Sequence, residues 1–258
     1  MKIKTKIFFT STLIACFIGN ANANNTLSQI IDDIIEIINN SNSTRLIEQS
    51  TYEQLPEALT DEDFFAYDAD QVKLGNLLFY DKILSGNMNI SCATCHHGLT
   101  ATGDGLSLSV GEGGNGLGIS RDTGFESDAV HERVPRNAPH VFNAGAKSMT
   151  TMFYDGRVST DPSHPSGFTT PAGLDLPIGL DNALAAQAMF PVTSATEMAG
   201  QAGENPVADA VVEGNLAGTN GVWDLLSQRI QNNDTYVSMF VGTYDDVNQA
   251  EDINFVHV

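Results

Sequence analysis

Cysteine and basic residues are scarce in this sequence, and each scarcity excludes a class of protein. Only three cysteines occur in 258 residues, and Cys16 lies in an N-terminal segment that we expect to be removed. With only Cys92 and Cys95 left, no disulfide framework can hold the fold. Only 12 Lys and Arg residues accompany 32 Asp and Glu residues. This acidity argues against nucleic acid and anionic membranes as partners, and it suits either a basic docking partner or solubility alone.

The first 23 residues have the pattern of a secretory signal peptide. Three lysines within the first six residues precede an apolar stretch over 7–19, and Ala21-Asn22-Ala23 is a small-x-small cleavage site. The apolar stretch is too short to span a membrane, so we expect no membrane span after cleavage. The alternatives are an uncleaved anchor and a lipoprotein signal at Leu13-Ile14-Ala15-Cys16.

Hydrophobic periodicity predicts a mainly α protein. Apolar residues recur at helical spacing among the isoleucines of 30–38, and again over 71–80, 184–189 and 222–230. No internal repeat and no convincing sheet is evident. Long stretches rich in Gly, Pro, Ser and Asp separate these segments, which predicts long irregular loops.

A glycine-rich stretch over 98–118 contains Gly111, Gly113 and Gly116 in the spacing G-x-G-x-x-G. A nucleotide-binding fingerprint needs a strand before the glycines and a helix after them. Residues 106–110 could form a strand, but 118–128 show no helical pattern. We therefore interpret this stretch as a flexible surface loop.

The string Cys92-Ala93-Thr94-Cys95-His96 carries the strongest chemical signal. Two thiols at this spacing can add to the two vinyl groups of haem, and the following imidazole can then serve as the proximal iron ligand. A zinc site would need a second pair of ligand cysteines, and a thioredoxin-like dithiol would need a βαβ pattern. The sequence has neither, so the motif predicts covalently bound haem c.

The sixth iron ligand decides what such a haem does. A methionine or a second histidine would close the iron and make an electron carrier, whereas an open site would let peroxide bind. The candidates for a closing ligand are Met149, Met152, Met189, Met198, His131 and His140. Composition and spacing do not choose among them.

Several blocks resemble the bacterial di-haem cytochrome c peroxidases and the related MauG-type enzymes. These blocks are Leu74-Gly75-Asn76-Leu77-Leu78-Phe79-Tyr80-Asp81, Leu84-Ser85-Gly86, the string 90–96, Arg136-Asn137-Ala138-Pro139, Phe153-Tyr154-Asp155-Gly156-Arg157, 184–187 and Glu197-Met198. They occur in the family's order over residues 74–198. The resemblance implies a cytochrome c-like haem domain.

The resemblance also implies roles for individual residues. It implies that His96 is the proximal ligand of the peroxidatic haem, Glu197 the distal acid–base residue and Gln187 its polar neighbour. Asn137 matches a residue that helps bind calcium between the two haem domains. Tyr154 occupies a position where the family often has a tryptophan between the haems. A carboxylate over open iron could move a proton between the two oxygens of peroxide, which agrees with this assignment.

Two departures from the family pattern shape our expectations. Glu112 follows Ser109-Val110-Gly111, where the family carries the histidine that closes the resting site, so the iron is expected to be open unless His131 substitutes. No second C-x-x-C-H is present, which indicates a fragment or a truncated gene product. We therefore predict a signal peptide over 1–23, an N-terminal segment over 24–70, a haem domain over 71–215 and the start of an incomplete second domain over 216–258.

The predicted function is that of a periplasmic peroxidase domain. It would reduce hydrogen peroxide to water with electrons from a small cytochrome or cupredoxin, and the resemblance leaves a homodimer open. Two alternatives remain at this stage. One is a MauG-type enzyme that oxidises a partner protein, and the other is a non-enzymatic c-type electron carrier.

Overall fold

The structure is a computed structural model, and it describes residues 29, 31–38, 57–125 and 129–258. The predicted signal peptide and both of its alternatives lie outside these residues. Contacts divide the chain into two units, Met1–Ala58 and Leu59–Val258. In the first unit, the described residues 29 and 31–38 are helical, which confirms that part of the predicted N-terminal helix.

The second unit is built mainly from short helices joined by long loops. The helices are α1 (Ala69–Tyr80), α2 (Cys92–Cys95), α3 (Ala183–Ala188), α4 (Pro206–Val212), α5 (Val222–Gln231) and α6 (Asp234–Thr243). A π-helical turn spans Ala195–Ala199. Short 3-10 turns lie at Asp61–Asp63, Lys82–Leu84, Gly98–Thr100, Gly118–Ser120, Gly173–Asp175, Pro191–Thr193 and Ala250–Asp252. The prediction of a mainly α protein is confirmed.

Helix α1 begins where the sequence provides a cap. The Asp68 carboxylate accepts hydrogen bonds from the backbone N–H groups of Asp70 and Gln71, at 2.8 and 3.0 Å. Such a cap satisfies amides that have no partner within the helix. Leu74 and Leu78, four residues apart on one face, are buried in the core.

The two C-terminal helices complete this core. Trp223, Leu226 and Ile230 of α5 are buried, and Trp223 Nε1 donates to the carbonyl of Met189 at 3.0 Å. Phe240 of α6 is fully buried. Residues 216–258 therefore pack within the same unit as the predicted haem domain, and the domain boundary at 215 stays a prediction.

A small sheet is present that the sequence analysis did not anticipate. Strands β1 (Thr151–Met152), β2 (Val158–Thr160) and β3 (Phe168–Thr169) pair antiparallel in that order. Met152 pairs with Val158, and Thr160 pairs with Phe168. The expectation of no sheet was wrong because strands of two or three residues are too short to show an alternating pattern.

The glycine-rich stretch is also more ordered than predicted. Residues 106–110 form no strand, and the described residues 117–125 contain a 3-10 turn at Gly118–Ser120 rather than a helix, so rejecting a nucleotide fingerprint was sound. However, residues 109–112 are all buried. The interpretation of a flexible surface loop is therefore wrong for this part of the stretch.

Candidate functional site

Helix α2 presents the two motif cysteines from a single turn. Ser91 caps this turn, because its backbone N–H donates to Thr94 Oγ1 at 3.0 Å and its carbonyl accepts from the Thr94 N–H at 2.9 Å. Cys92 and Cys95 stand three residues apart, and helical side chains at this spacing lie on the same face. Both are half-buried free thiols.

The His96 ring is oriented by two backbone carbonyls. Its Nδ1 lies 3.0 Å from the oxygen of Thr102 and 3.0 Å from that of Pro139. A carbonyl oxygen can only accept a hydrogen bond, so Nδ1 carries the proton and donates. The neutral ring then has its lone pair on Nε2, free to bind a metal. The Pro139 contact places the Arg136–Pro139 block against the cysteine motif.

The surroundings of the thiols favour haem over zinc or a redox dithiol. Burial raises the pKa of Cys92, and burial raises the pKa of Cys95 to about 11. Disulfide exchange needs the thiolate, which these surroundings disfavour. Among the described residues, no group of three or more His, Cys, Asp or Glu side chains could hold a metal ion. Two neutral thiols beside an oriented imidazole fit covalent haem c.

Glu197 lies in the π-helical turn Ala195–Ala199. The backbone N–H groups of Glu197, Met198 and Ala199 all donate to the single carbonyl of Ser194, at 3.2, 3.1 and 2.9 Å. Single π-helical turns often occur at functional sites. Burial raises the pKa of the Glu197 carboxyl above its ordinary value, and the charge of Arg157 opposes this rise.

Two glycines allow other segments to approach the Glu197 turn closely. The Gly86 N–H donates to the Met198 carbonyl at 2.7 Å, and a Cβ on Gly86 would collide with the Ala199 carbonyl. A Cβ on Gly111 would collide with the Thr196 carbonyl and lie 3.1 Å from the Glu197 Cα. The turn is therefore held between segments that lie far from it in sequence.

The Glu197 carboxylate is close enough to interact with Cys92–His96, the turn predicted to attach the haem and here called the attachment turn. The charge of Arg121 opposes the rise in the pKa of Cys95 that burial causes, and the carboxylates of Asp104 and Glu197 add to it. The fold thus brings together two residues that the sequence separates by about a hundred positions. Cys95 and Glu197 are both predicted site residues.

Gln187 and Tyr154 have clear positions but untested roles. Gln187 is half-buried in α3, the helix that packs against β1 and β2. Tyr154 lies in the turn between β1 and β2 with 71% of its surface exposed. The Arg136 guanidinium sits 4.0 Å from the centre of its ring, a cation–π contact. Tyr154 is thus held at the surface by a residue of another family block.

Asn137 is exposed, and its predicted part in calcium binding remains a prediction. Calcium takes about six to eight oxygen ligands. As noted above, the described residues hold no cluster of acidic side chains suited to a metal. Asn137 alone supports the proposal of calcium.

Glu112, which stands where the family carries a histidine, is buried and held by two amides. Asn87 Nδ2 donates to Glu112 Oε1 at 2.9 Å, and Asn89 Nδ2 donates to the same oxygen. Glu112 lines a cleft of about 920 Å³ that His131 also borders. The cleft touches Ala93, Thr94 and His97 of the motif region but not Cys92, Cys95 or His96. It therefore lies beside the attachment turn rather than on its reactive face.

The other candidates for a sixth ligand differ in burial. Met152, Met189 and Met198 are buried in the apolar core, whereas Met149 is exposed. His140 Nδ1 lies 3.0 Å from the Ala101 carbonyl, and its ring stacks on Phe142. The three buried methionines thus have a packing role in the core.

Sequence reasoning missed Arg121 and Gly111. Arg121 is a buried arginine in an otherwise irregular loop, and no motif marks it. Gly111 belongs to the glycine string that we had interpreted as surface loop. Its place in the string Ser109-Val110-Gly111, which fits the family pattern up to Glu112, was the one signal that could have identified it.

Comparison with known proteins decides the family. Residues 69–258 match the family described as di-haem cytochrome c peroxidase. The chain belongs to this family. It is 46% identical over 104 residues to the cytochrome-c peroxidase IdrP2 of Denitromonas iodatirespirans, a match that covers 40% of this chain and 22% of that protein.

Two further relatives are named after the two kinds of enzyme that the sequence resembles, one as a cytochrome c peroxidase and the other as MauG. Cytochrome c551 peroxidase of Pseudomonas aeruginosa is 32% identical over 106 residues, covering 41% of this chain and 25% of that protein. The methylamine utilization protein MauG of Methylorubrum extorquens is 30% identical over 135 residues, covering 47% and 37%. The chain thus spans between about a fifth and two fifths of the length of these relatives.

A solved structure described as a MauG-like protein associated with microbial copper homeostasis also aligns. It is 20% identical, covers 80% of this chain and 43% of that chain, and has a TM-score of 0.39. A likeness this weak does not establish a cytochrome c-like fold. No helix in the described part of the chain has the length and apolar character needed to cross a membrane.

Proposed function

We propose that this chain is a c-type haem peroxidase domain that reduces hydrogen peroxide to water. The carrying observation is the arrangement of an oriented His96 and a half-buried Glu197 around the Cys92–Cys95 turn. Family membership and relatives named cytochrome c peroxidases support this function. A cytochrome c-like haem domain over 71–215 is part of the proposal.

Three residues would hold the haem. Cys92 Sγ and Cys95 Sγ would form the thioether bonds, and His96 Nε2 would bind the iron. The two carbonyls on Nδ1 keep the ring in one tautomer and raise its basicity as a ligand. Bound haem would supply the redox chemistry, while the protein sets the axial ligand and the acid–base group.

Glu197 would move the proton that peroxide cleavage requires. Its carboxylate would accept a proton from one peroxide oxygen and return it to the other, so that the O–O bond breaks and the protonated oxygen leaves as water. The remaining oxygen would become the second water with two electrons from the redox-protein donor and two protons from solvent. A raised pKa suits this double role, because a carboxyl that titrates closer to the working pH both accepts and donates more readily. Gln187 is proposed as its polar neighbour, and Asn137 as a calcium ligand.

Electrons would come from outside the domain. Tyr154 is exposed at the surface, and we propose that it lies on the electron route. The strongly acidic chain would attract a basic donor, such as a small cytochrome or cupredoxin. The proposed location is the periplasm, reached through the signal peptide over 1–23. A homodimer remains part of this proposal.

A MauG-type reaction is the second candidate, favoured by the match to the MauG relative and by the exposed Tyr154. In that case the electrons that reduce peroxide would be taken from a partner protein, which is thereby oxidised, rather than from a small redox donor. Turnover with a small electron donor separates the two. Fast peroxide consumption with such a donor supports the peroxidase, and slow consumption with oxidation of a protein substrate supports the second candidate.

Rapid mixing with peroxide tests the role of Glu197. The haem-loaded chain should show a fast spectral change, and Glu197→Gln should slow it by about 10²-fold or more because the proton acceptor is lost. Glu213→Gln is the matched control, since Glu213 is exposed at the end of α4. Equal rates in all three proteins would remove Glu197 from the reaction and favour the electron carrier.

A further inference from the structure

The side chain of Arg121 is buried, and its guanidinium donates hydrogen bonds to backbone carbonyls. Only 6% of its surface is exposed. Its Nε donates to the Val110 carbonyl and its Nη2 to the Gly111 carbonyl, both at 2.6 Å, and Nη1 donates to the Gly116 carbonyl at 3.0 Å. Within the described ranges, no carboxylate forms an ion pair with it. Its interactions are therefore those of an anchor for one backbone segment.

The anchored segment is the one on which the Glu197 turn rests. Gly111 touches the backbone of Thr196 and Glu197 so closely that no side chain fits between them. The Val110 carbonyl also lies 4.0 Å from Cys95 Sγ. One guanidinium thus fixes a short stretch of backbone that contacts both the attachment turn and the turn bearing Glu197.

The loop over residues 111–121 folds back on itself, which places the Arg121 side chain beside the Val110 and Gly111 carbonyls. Asn115 and Asp122 exchange two backbone hydrogen bonds, at 3.1 and 2.9 Å, which closes residues 115–122 into a turn. On the other side of Gly111, the amides of Asn87 and Asn89 hold Glu112. The segment Val110–Glu112 is therefore held at both ends, and Arg121 holds the end nearer the attachment turn.

We propose that Arg121 is a positioning residue for Glu197, acting through the backbone of Val110 and Gly111. This rests on the proposed function, in which Glu197 transfers the proton. A planar guanidinium can donate to several carbonyls at once, whereas the lysine ammonium is a single flexible point charge. The geometry, and not only the positive charge, should therefore matter.

The first experiment combines Arg121 and Glu197 substitutions in the haem-loaded full chain. Arg121→Met and Arg121→Lys should each slow the fast spectral change with hydrogen peroxide by about 10-fold or more, because small displacements of a reacting group are costly. In the Glu197→Gln background, the same substitutions should change the rate by less than about twofold, since the group they position is already absent. Arg133→Met is the matched control.

Arg133 suits this purpose because it is exposed and donates one hydrogen bond, at 3.0 Å, to the Leu108 carbonyl near the same segment. Its variant should keep the wild-type rate. Equal slowing by Arg121→Met in both backgrounds would overturn the proposal, because it would show a general structural defect. A wild-type rate in Arg121→Lys would also overturn it, because charge alone would then suffice.

The second experiment does not depend on any reaction. Hydrogen exchange of the Glu197, Met198 and Ala199 amides is measured in the haem-loaded protein without peroxide. Both Arg121 variants should exchange these amides faster than wild type and Arg133→Met, because the turn has lost its support. Unchanged exchange would overturn the proposal. If Glu197→Gln does not slow the peroxide reaction, the proposed function fails, while this measurement still decides whether Arg121 holds the turn.

Discussion

The proposed attachment turn, Cys92–His96, and the proposed acid–base turn, Ala195–Ala199, each contain their own backbone hydrogen bonds but differ in what else supports them. The attachment turn, Cys92–His96, is closed by its own hydrogen bonds and by the Ser91 cap. The turn Ala195–Ala199 is supported by Gly86, Gly111 and Asn205, the last donating to the Ala199 carbonyl at 2.9 Å. Covalent haem attachment at Cys92 and Cys95 should therefore survive substitutions that disturb the turn Ala195–Ala199. The predictions below test this difference between the two turns.

The largest effect is expected at the attachment turn. Replacing both cysteines, in Cys92→Ser/Cys95→Ser, should abolish covalent haem because no thiol remains to form a thioether. Denatured wild-type protein should retain a c-type pyridine haemochrome, and the double variant should not. Glu197→Gln should carry as much covalent haem as wild type. Extraction of wild-type haem into acidified solvent would contradict covalent attachment.

The next effect concerns the glycine beside the acid–base turn. Gly111→Ala should lower the free energy of unfolding by about 1–3 kcal/mol, because the added methyl overlaps the Thr196 carbonyl. Gly75→Ala is the matched control: it lies in α1 with nothing within 4 Å of the added Cβ. It should raise the free energy of unfolding by about 0.4–1 kcal/mol. Denaturant titrations measure both, and similar values would contradict the close contact at Gly111.

A smaller effect is expected from the partial burial of Glu197. Its folded-state pKa is raised by burial, so it contributes to stability in acid, and this contribution is lost as the pH rises through that pKa. Glu197→Gln cannot ionise and should therefore melt a few degrees above wild type in neutral and alkaline buffer. The difference should shrink in acid. Glu213→Gln should follow wild type throughout, and a pH-independent difference would contradict the burial of the charge.

The smallest effect is expected at Arg157. Its positive charge opposes the burial that raises the pKa of Glu197, and its guanidinium lies over the Phe153 ring at 3.9 Å. Arg157→Met should raise that pKa further and move the pH profile of the peroxide reaction to higher pH. The shift should be larger at low ionic strength, because salt screens charges near the surface. Arg133→Met should leave the profile unchanged, and no shift in Arg157→Met would remove Arg157 from the environment of Glu197.

Helix positions were well predicted where periodicity was strong. The segments 71–80, 184–189 and 222–230 match α1, α3 and α5 within a few residues. The small sheet was missed because its strands are too short for alternation to appear. The buried part of the glycine-rich loop was missed because glycine and polar residues resemble surface loop in any local pattern. The first failure reflects the shortness of locally paired strands, and the second reflects contacts between segments that are distant in sequence.

The sequence by itself predicted the haem attachment chemistry and identified the family. Those signals lie in contiguous motifs, where spacing along the chain sets spacing in space. Only the tertiary structure decided which nitrogen of His96 is left free to bind a metal, because the carbonyls that engage the other nitrogen belong to Thr102 and Pro139. It also decided that Glu197 is half-buried and that Arg121 anchors the backbone segment beside it. Burial and electrostatics depend on groups that are distant in sequence, and only folding brings those groups together.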